Sequence, residues 1–173
     1  FSQENTKKKL EYLQTKPIPI VCDRKNEFWI LDRHHRLRAL LEVDYSAEAY
    51  GYIVAETNTN DSYKSLEFLA NKGWLYLYDN RGRGPCSTSL LPKSLLGMED
   101  DSYRSLVWKL KREGLILPSP LIPYHEFRWS SWLRTRSLPP FNSRNLSPAL
   151  SIARELVRSK NASHLAGWKG MNV

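Results

Sequence analysis

The chain has 173 residues, 41% of them hydrophobic and 25% charged, with six Trp and a net charge of +8. That balance suits one globular domain with a small helical appendage and excludes a disordered chain, which would not carry so many aromatic residues. No apolar run approaches membrane-spanning length and no signal peptide is visible, so no membrane is expected and a cytoplasmic location is.

Residues 3–15 read as a helix, with Leu10 and Leu13 apolar and Lys7 to Lys9 on the polar side. Lys16-Pro17 ends it. Pro17 to Cys22 and Glu27 to Leu31 are β-prone and flank the polar turn Asp23 to Asn26, which predicts a β-hairpin. Asp32 stands at a strand-to-helix junction and is a good N-cap, so a helix is expected over Arg33 to Glu42, burying Leu37, Leu40 and Leu41. A third strand is expected over Glu48 to Ala55. A helix follows from Asp61 or Ser62 to Lys72, closed by Gly73. Trp74 to Tyr78, W-L-Y-L-Y, has strong strand propensity. Turn-forming residues fill Asp79 to Ser89. Asp100 to Glu113 is amphipathic and helical, with Leu106, Trp108 and Leu110 among its apolar residues. Residues 115–125 hold three prolines and read as extended. Helices are expected over Glu126 to Arg136, Ala149 to Ser159 (opened by Ser147-Pro148) and Ala162 to Ala166. Strands come early and helices late, which predicts an α+β fold.

The charge is uneven. Of 26 Lys/Arg and 18 Asp/Glu, residues 126–173 hold eight and two, so this segment alone contributes +6. A division follows: residues 1–125 as the main domain, and 126–173 as a basic helical extension packed on it. A basic segment suits a polyanion, and nucleic acid or a nucleotide is the expected partner. Cys22 and Cys86 form neither a CxxC nor a zinc spacing, so a reducing compartment is the simpler expectation.

The segment Phe28 to Leu41, F-W-I-L-D-R-H-H-R-L-R-A-L-L, carries the chemistry. A strand feeds a helix whose first turn holds two His and an Arg. Helix N-termini present unpaired N–H groups and partial positive charge, and so bind phosphate. Arg36 adds a planar, permanently charged clamp. His34 and His35 can donate to phosphate oxygens or move protons near neutral pH. Neighbouring helical residues point about 100° apart, so the two take different roles: one faces the ligand and the other the core or a loop. Asp32 either caps the helix, orients a His or holds a metal. Arg81 and Arg83, in the loop N-R-G-R-G-P, either bind phosphate or belong to an exposed turn. In E-F-R-W, Glu126 is a base, a metal ligand or half of an ion pair, and Arg128 is an anion clamp.

These residues resemble a family. D-R-H-H-R-L-R-A-L, preceded by P-I-P-I-V and a hairpin, resembles the ParB/sulfiredoxin superfamily, and within it the ParB-like nuclease branch, whose members carry a D-H-H-H element. G-W-L-Y-L-Y-D-N-R-G-R-G-P, L-P-K-S-L, D-D-S-Y-R-S-L-V-W, E-F-R-W and A-x-x-L-A-G-W-K-G extend the resemblance over most of residues 10–170. Arg33 departs from the pattern, standing where that branch has His and D-G-H-H-R relatives have Gly. The motif also lacks the Cys of sulfiredoxins, which argues against sulfinic-acid repair. The resemblance implies a small mixed sheet ringed by helices, phosphate bound at the helix start, and Asp32, His34 and His35 as the catalytic set. Superfamily members bind CTP, use ATP or act as nucleases, so the expected cofactors are a divalent cation such as Mg²⁺ and ATP or CTP. The leading expectation is an enzyme that hydrolyses a phosphodiester or nucleotide or transfers phosphate. The alternatives are a nucleotide-gated DNA-binding module of the partition type and a scaffold that keeps only the fold.

Overall fold

The computed structural model describes residues 11–122 and 124–170. The chain forms two compact units, residues 1–75 with 88–98, and residues 76–87 with 99–173. The boundary expected after residue 125 falls inside the second unit.

The first unit is built on a three-stranded mixed sheet: β1 (Ile18–Cys22), β2 (Phe28–Ile30) and β3 (Gly51–Glu56), in the order β2-β1-β3. The expected hairpin is present, with β1 and β2 antiparallel and Ile20 opposite Ile30. Asp23 makes the turn, its Oδ1 accepting from the amides of Lys25 (2.8 Å) and Glu27 (2.9 Å). β1 and β3 run parallel, which requires a crossover, and α1 (His34–Val43) supplies it. Val21, at the sheet centre, is fully buried. No residue of α1 is fully buried; Leu37, Leu40 and Leu41 are half-buried, not the buried face expected. α2 (Ser62–Asn71) is capped by Asp61, which accepts from the amide of Tyr63 at 2.9 Å. Gly73 then takes φ +67°, which only glycine adopts freely. Residues 11–14 are helical; the rest of the helix expected over 3–15 lies outside the described residues.

The second unit is helical: α3 (Ser102–Arg112), α4 (His125–Arg134) and α5 (Ser147–Arg158), then a 3₁₀ turn at Lys160–Ala162 in place of the helix expected over 162–166. Leu106, Val107 and Leu110 of α3 pack with Trp129 and Leu133 of α4 and Ala149, Ala153 and Val157 of α5 in one fully buried core. Each large side chain buried there contributes roughly 1.5–3 kcal/mol over an exposed one. Trp129 and Trp132 meet edge to face, with centroids 5.8 Å apart. Asp101 caps α3 through the amides of Tyr103 and Arg104 and is also paired with Arg134.

Two expectations fail here. Residues 74–78 join no sheet. Tyr76 instead packs against Phe127 (4.2 Å), Tyr78 (4.9 Å) and Tyr124 (5.1 Å), so aromatic contacts replace a ladder. Trp108, expected on the apolar side of α3, is 52% exposed. Among the described residues, no helix is long and apolar enough to cross a membrane. The architecture is α+β: a small mixed sheet with surrounding helices and a helical C-terminal part.

Candidate functional site

β2 delivers the chain to the motif. The amide of Leu31 still bonds to the Pro19 carbonyl at 3.0 Å, and the chain then leaves the sheet. Asp32 does not cap the helix. Its Oδ1 accepts from the amide of the next residue, Arg33, at 2.7 Å. Arg33 takes φ 73°, ψ 16° and itself occupies the N-cap position, giving no side-chain hydrogen bond. The left-handed residue starts the helix one position later than expected, at His34. Capping from Asp32 would need the amides two or three residues into the helix. The start of α1 therefore has no side-chain cap and no acidic residue in its first turn, the condition under which a helix N-terminus favours an anion.

The two His separate. His34 is half-buried. Burial is the largest influence on it and lowers its pKa below the ordinary 6.5; a hydrogen bond to the Ile30 carbonyl and the charge of Asp32 work the other way, and His35 adds to the lowering. Burial thus favours the neutral ring, which carries one N–H donor and one acceptor nitrogen. His35, like Asp32 and Arg33, is exposed. Arg36 is half-buried, and its Nη1 donates to the Lys16 carbonyl at 3.2 Å, so it is a tethered guanidinium with part of its fork already used. Arg38, two residues on, donates to the Met98 carbonyl and pairs with Glu42 at 2.9 Å.

The other expected residues lie in the second unit. Arg83 is bound to Asp79, Nη2 to Oδ2 at 2.7 Å, and Asp79 Oδ1 also accepts from the amides of Arg81 and Arg83. The loop is therefore closed by Asp79, and Arg134 of α4 donates to its Asn80 carbonyl at 2.8 Å, with the Arg81 side chain exposed. Arg128 is exposed. Glu126 sits between Arg104 (2.6 Å) and Lys111. Burial pushes its pKa up, but the Lys111 hydrogen bond and the two cations hold it below the usual range. Its oxygens are committed to an ion-pair network, which does not fit a metal ligand or a base. Asp32 has Oδ1 on the Arg33 amide and Oδ2 3.9 Å from the Arg33 Nε, and among the described residues no three His, Cys, Asp or Glu come together as a ligand set. These residues do not fit a resident divalent cation.

A feature that sequence reasoning passed over is an open cleft of about 440 Å³ lined by Cys22, Asp23, Arg24, Asn26, Glu56, Thr57 and Asn58. It lies at the carboxyl ends of the parallel strands β1 and β3, and the motif lies at the other end of β1. The signal available was two strands each followed at once by polar residues. None of the motif residues lines it.

The family model described as "Putative ParB-like nuclease" matches residues 1–135. The chain belongs to this family. The ParB-like match takes in the hairpin, the motif and α3, and ends within the second unit. No curated protein matches the chain. Among solved structures it is similar to protein Atu1540 from Agrobacterium tumefaciens, with 26% identity, a TM-score of 0.82, and coverage of 98% of this chain and 88% of that one.

Proposed function

We propose that this ParB-like chain recognises phosphate at the start of α1 and hydrolyses a phosphodiester or nucleotide there. The observation that carries the reading is the uncapped helix start, which follows a left-handed Arg33 and bears His34, His35 and Arg36 on its first turn. Backbone amides at the helix start receive phosphate oxygens, and Arg36 adds charge through the donors that Lys16 does not use. His35, open to solvent, donates to the substrate as acid. Neutral His34 takes a proton from the attacking water as base while the P–O bond to the leaving group breaks. Asp32 orients the turn by gripping the Arg33 amide.

A second reading, a nucleotide-gated DNA-binding module that does not turn over, draws support from the positive charge. The second unit holds 14 Lys/Arg against seven Asp/Glu, +7 of the chain's +8.

A melting-temperature panel of CTP, ATP, serine and short DNA, each with and without Mg²⁺, identifies what the native fold binds. Hydrolysis of the bound species is then measured. We expect loss of about 100-fold or more in His35→Ala, the scale of a missing acid. As pH falls, the rate should drop through the His34 pKa, which lies below 6.5 because burial lowers it. A ligand that binds equally well to His35→Ala and is never cleaved by the parent chain would establish the binding module instead.

A further inference from the structure

Trp108 stands apart from the other Trp residues. Trp129 and Trp132 are core residues, whereas Trp108 is 52% exposed on the outer face of α3. That exposure forgoes the stabilisation a core site gives an indole. Arg112 lies one turn on, its guanidinium carbon 5.1 Å from the Trp108 ring centroid, and among the described residues no carboxylate pairs with it. Beside them Lys109 pairs with Glu113 at 3.2 Å, and Glu113 is gripped by Arg154 of α5 at 2.8 Å. Arg158, one turn beyond Arg154, is exposed and unpaired among the described residues. Two of the neighbouring cations, Lys109 and Arg154, thus share the one carboxylate of Glu113, and Arg112 beside Trp108 is left over.

An aromatic plate beside surplus cationic charge is the arrangement that holds a flexible polyanion with flat, π-faced units. A base stacks on the ring and phosphates meet the cations. An acidic peptide would use the charge and leave the indole idle. A duplex keeps its base faces inside the stack.

We propose that this face of α3 binds single-stranded nucleic acid, with Trp108 stacking on a base and Arg112 contacting a backbone phosphate. The surface belongs to the second unit alone. It rests on the phosphodiester reading only for the class of polymer, since binding is measured without turnover.

The test is fluorescence anisotropy of the full chain with a labelled oligothymidylate, and with a duplex of the same length, at low and raised salt. Trp108→Ala is expected to weaken single-strand binding about tenfold or more, with Trp108→Phe retaining most of the affinity. Arg112→Glu should also weaken binding and flatten its salt dependence. Both positions are solvent-facing, and a melting curve checks that each variant folds. Repeating the Trp108→Ala comparison in the His35→Ala background separates the two readings. Should no phosphodiester be cleaved while the Trp108 effect persists, the surface stands without catalysis. Unchanged affinity in both Trp108→Ala and Arg112→Glu overturns it, as does absence of saturable binding or equal preference for the duplex.

Discussion

At position 33 an arginine holds a backbone conformation that glycine adopts without strain. For an L-residue with φ 73° the cost is about 1–2 kcal/mol, and it is borne at the one residue that decides where α1 begins. Arg33→Gly is therefore expected to fold with unchanged or slightly higher stability in urea, because relief of strain offsets the greater chain entropy of glycine. Arg33→Val should lose about 1–2 kcal/mol, since a β-branched residue tolerates this region poorly. A marked loss in the Gly variant would mean that the Arg33 side chain, and not its backbone, holds the turn. The motif itself was legible from residue types alone: Asp, two His and Arg after a strand. The left-handed turn was not, because nothing in D-R-H-H announces a positive φ at an arginine, and so Asp32 was expected to cap. The separation of His34 from His35 followed from helical geometry. Which of them turns inward depended on where the Ile30 carbonyl falls.

Among the elements, local pattern predicted helices well and strands unevenly. α2, α3 and α5 carry their own stop and start signals: Asp61 and Asp101 as caps, Pro148 in a first turn and Gly73 at an end. W-L-Y-L-Y failed because β propensity measures fit to a pleated surface, and Tyr76 found a cluster of rings instead. Trp108 was misplaced for a similar reason. Counting it as apolar ignored that Tyr103, Leu106, Val107 and Leu110 already complete a stripe at helical spacing. α3 and α5 are also tied by charge. Arg154 donates twice to Glu113, and with Lys109 it holds that carboxyl down to about 2. The folded-state pKa is depressed, so this contribution to stability is present above the ordinary carboxylate range and is lost as pH falls towards 2. A carboxyl-carbon NMR titration should find the Glu113 midpoint far below 4.5, and Arg154→Ala should return it most of the way.

Across the whole molecule, the charge asymmetry visible in the sequence was real, but its boundary lay elsewhere. Reading the basic excess as a tail after residue 125 followed the chain. The structure groups residues 76–87 and 99–125 with it, because α3 and α4 share a core that no linear count reveals. The +8 of the chain is thus carried almost wholly by one compact unit, the one that holds Trp108.

That unit closes on itself at residues 166–168. The Trp129 indole N–H donates to the Ala166 carbonyl at 2.8 Å, the Leu117 amide to Gly167 at 2.7 Å, and Ile116 bridges to Trp168. Gly167 has φ +81°, and a Cβ there would collide with the Leu117 carbonyl. A clasp of so few residues makes the hydrocarbon interior depend on residues 166–168. Cutting the chain after Leu165 strands a buried indole without an acceptor and should lower stability by at least about 1–3 kcal/mol in a denaturant melt. Gly167→Ala should unfasten the same clasp with every other atom kept.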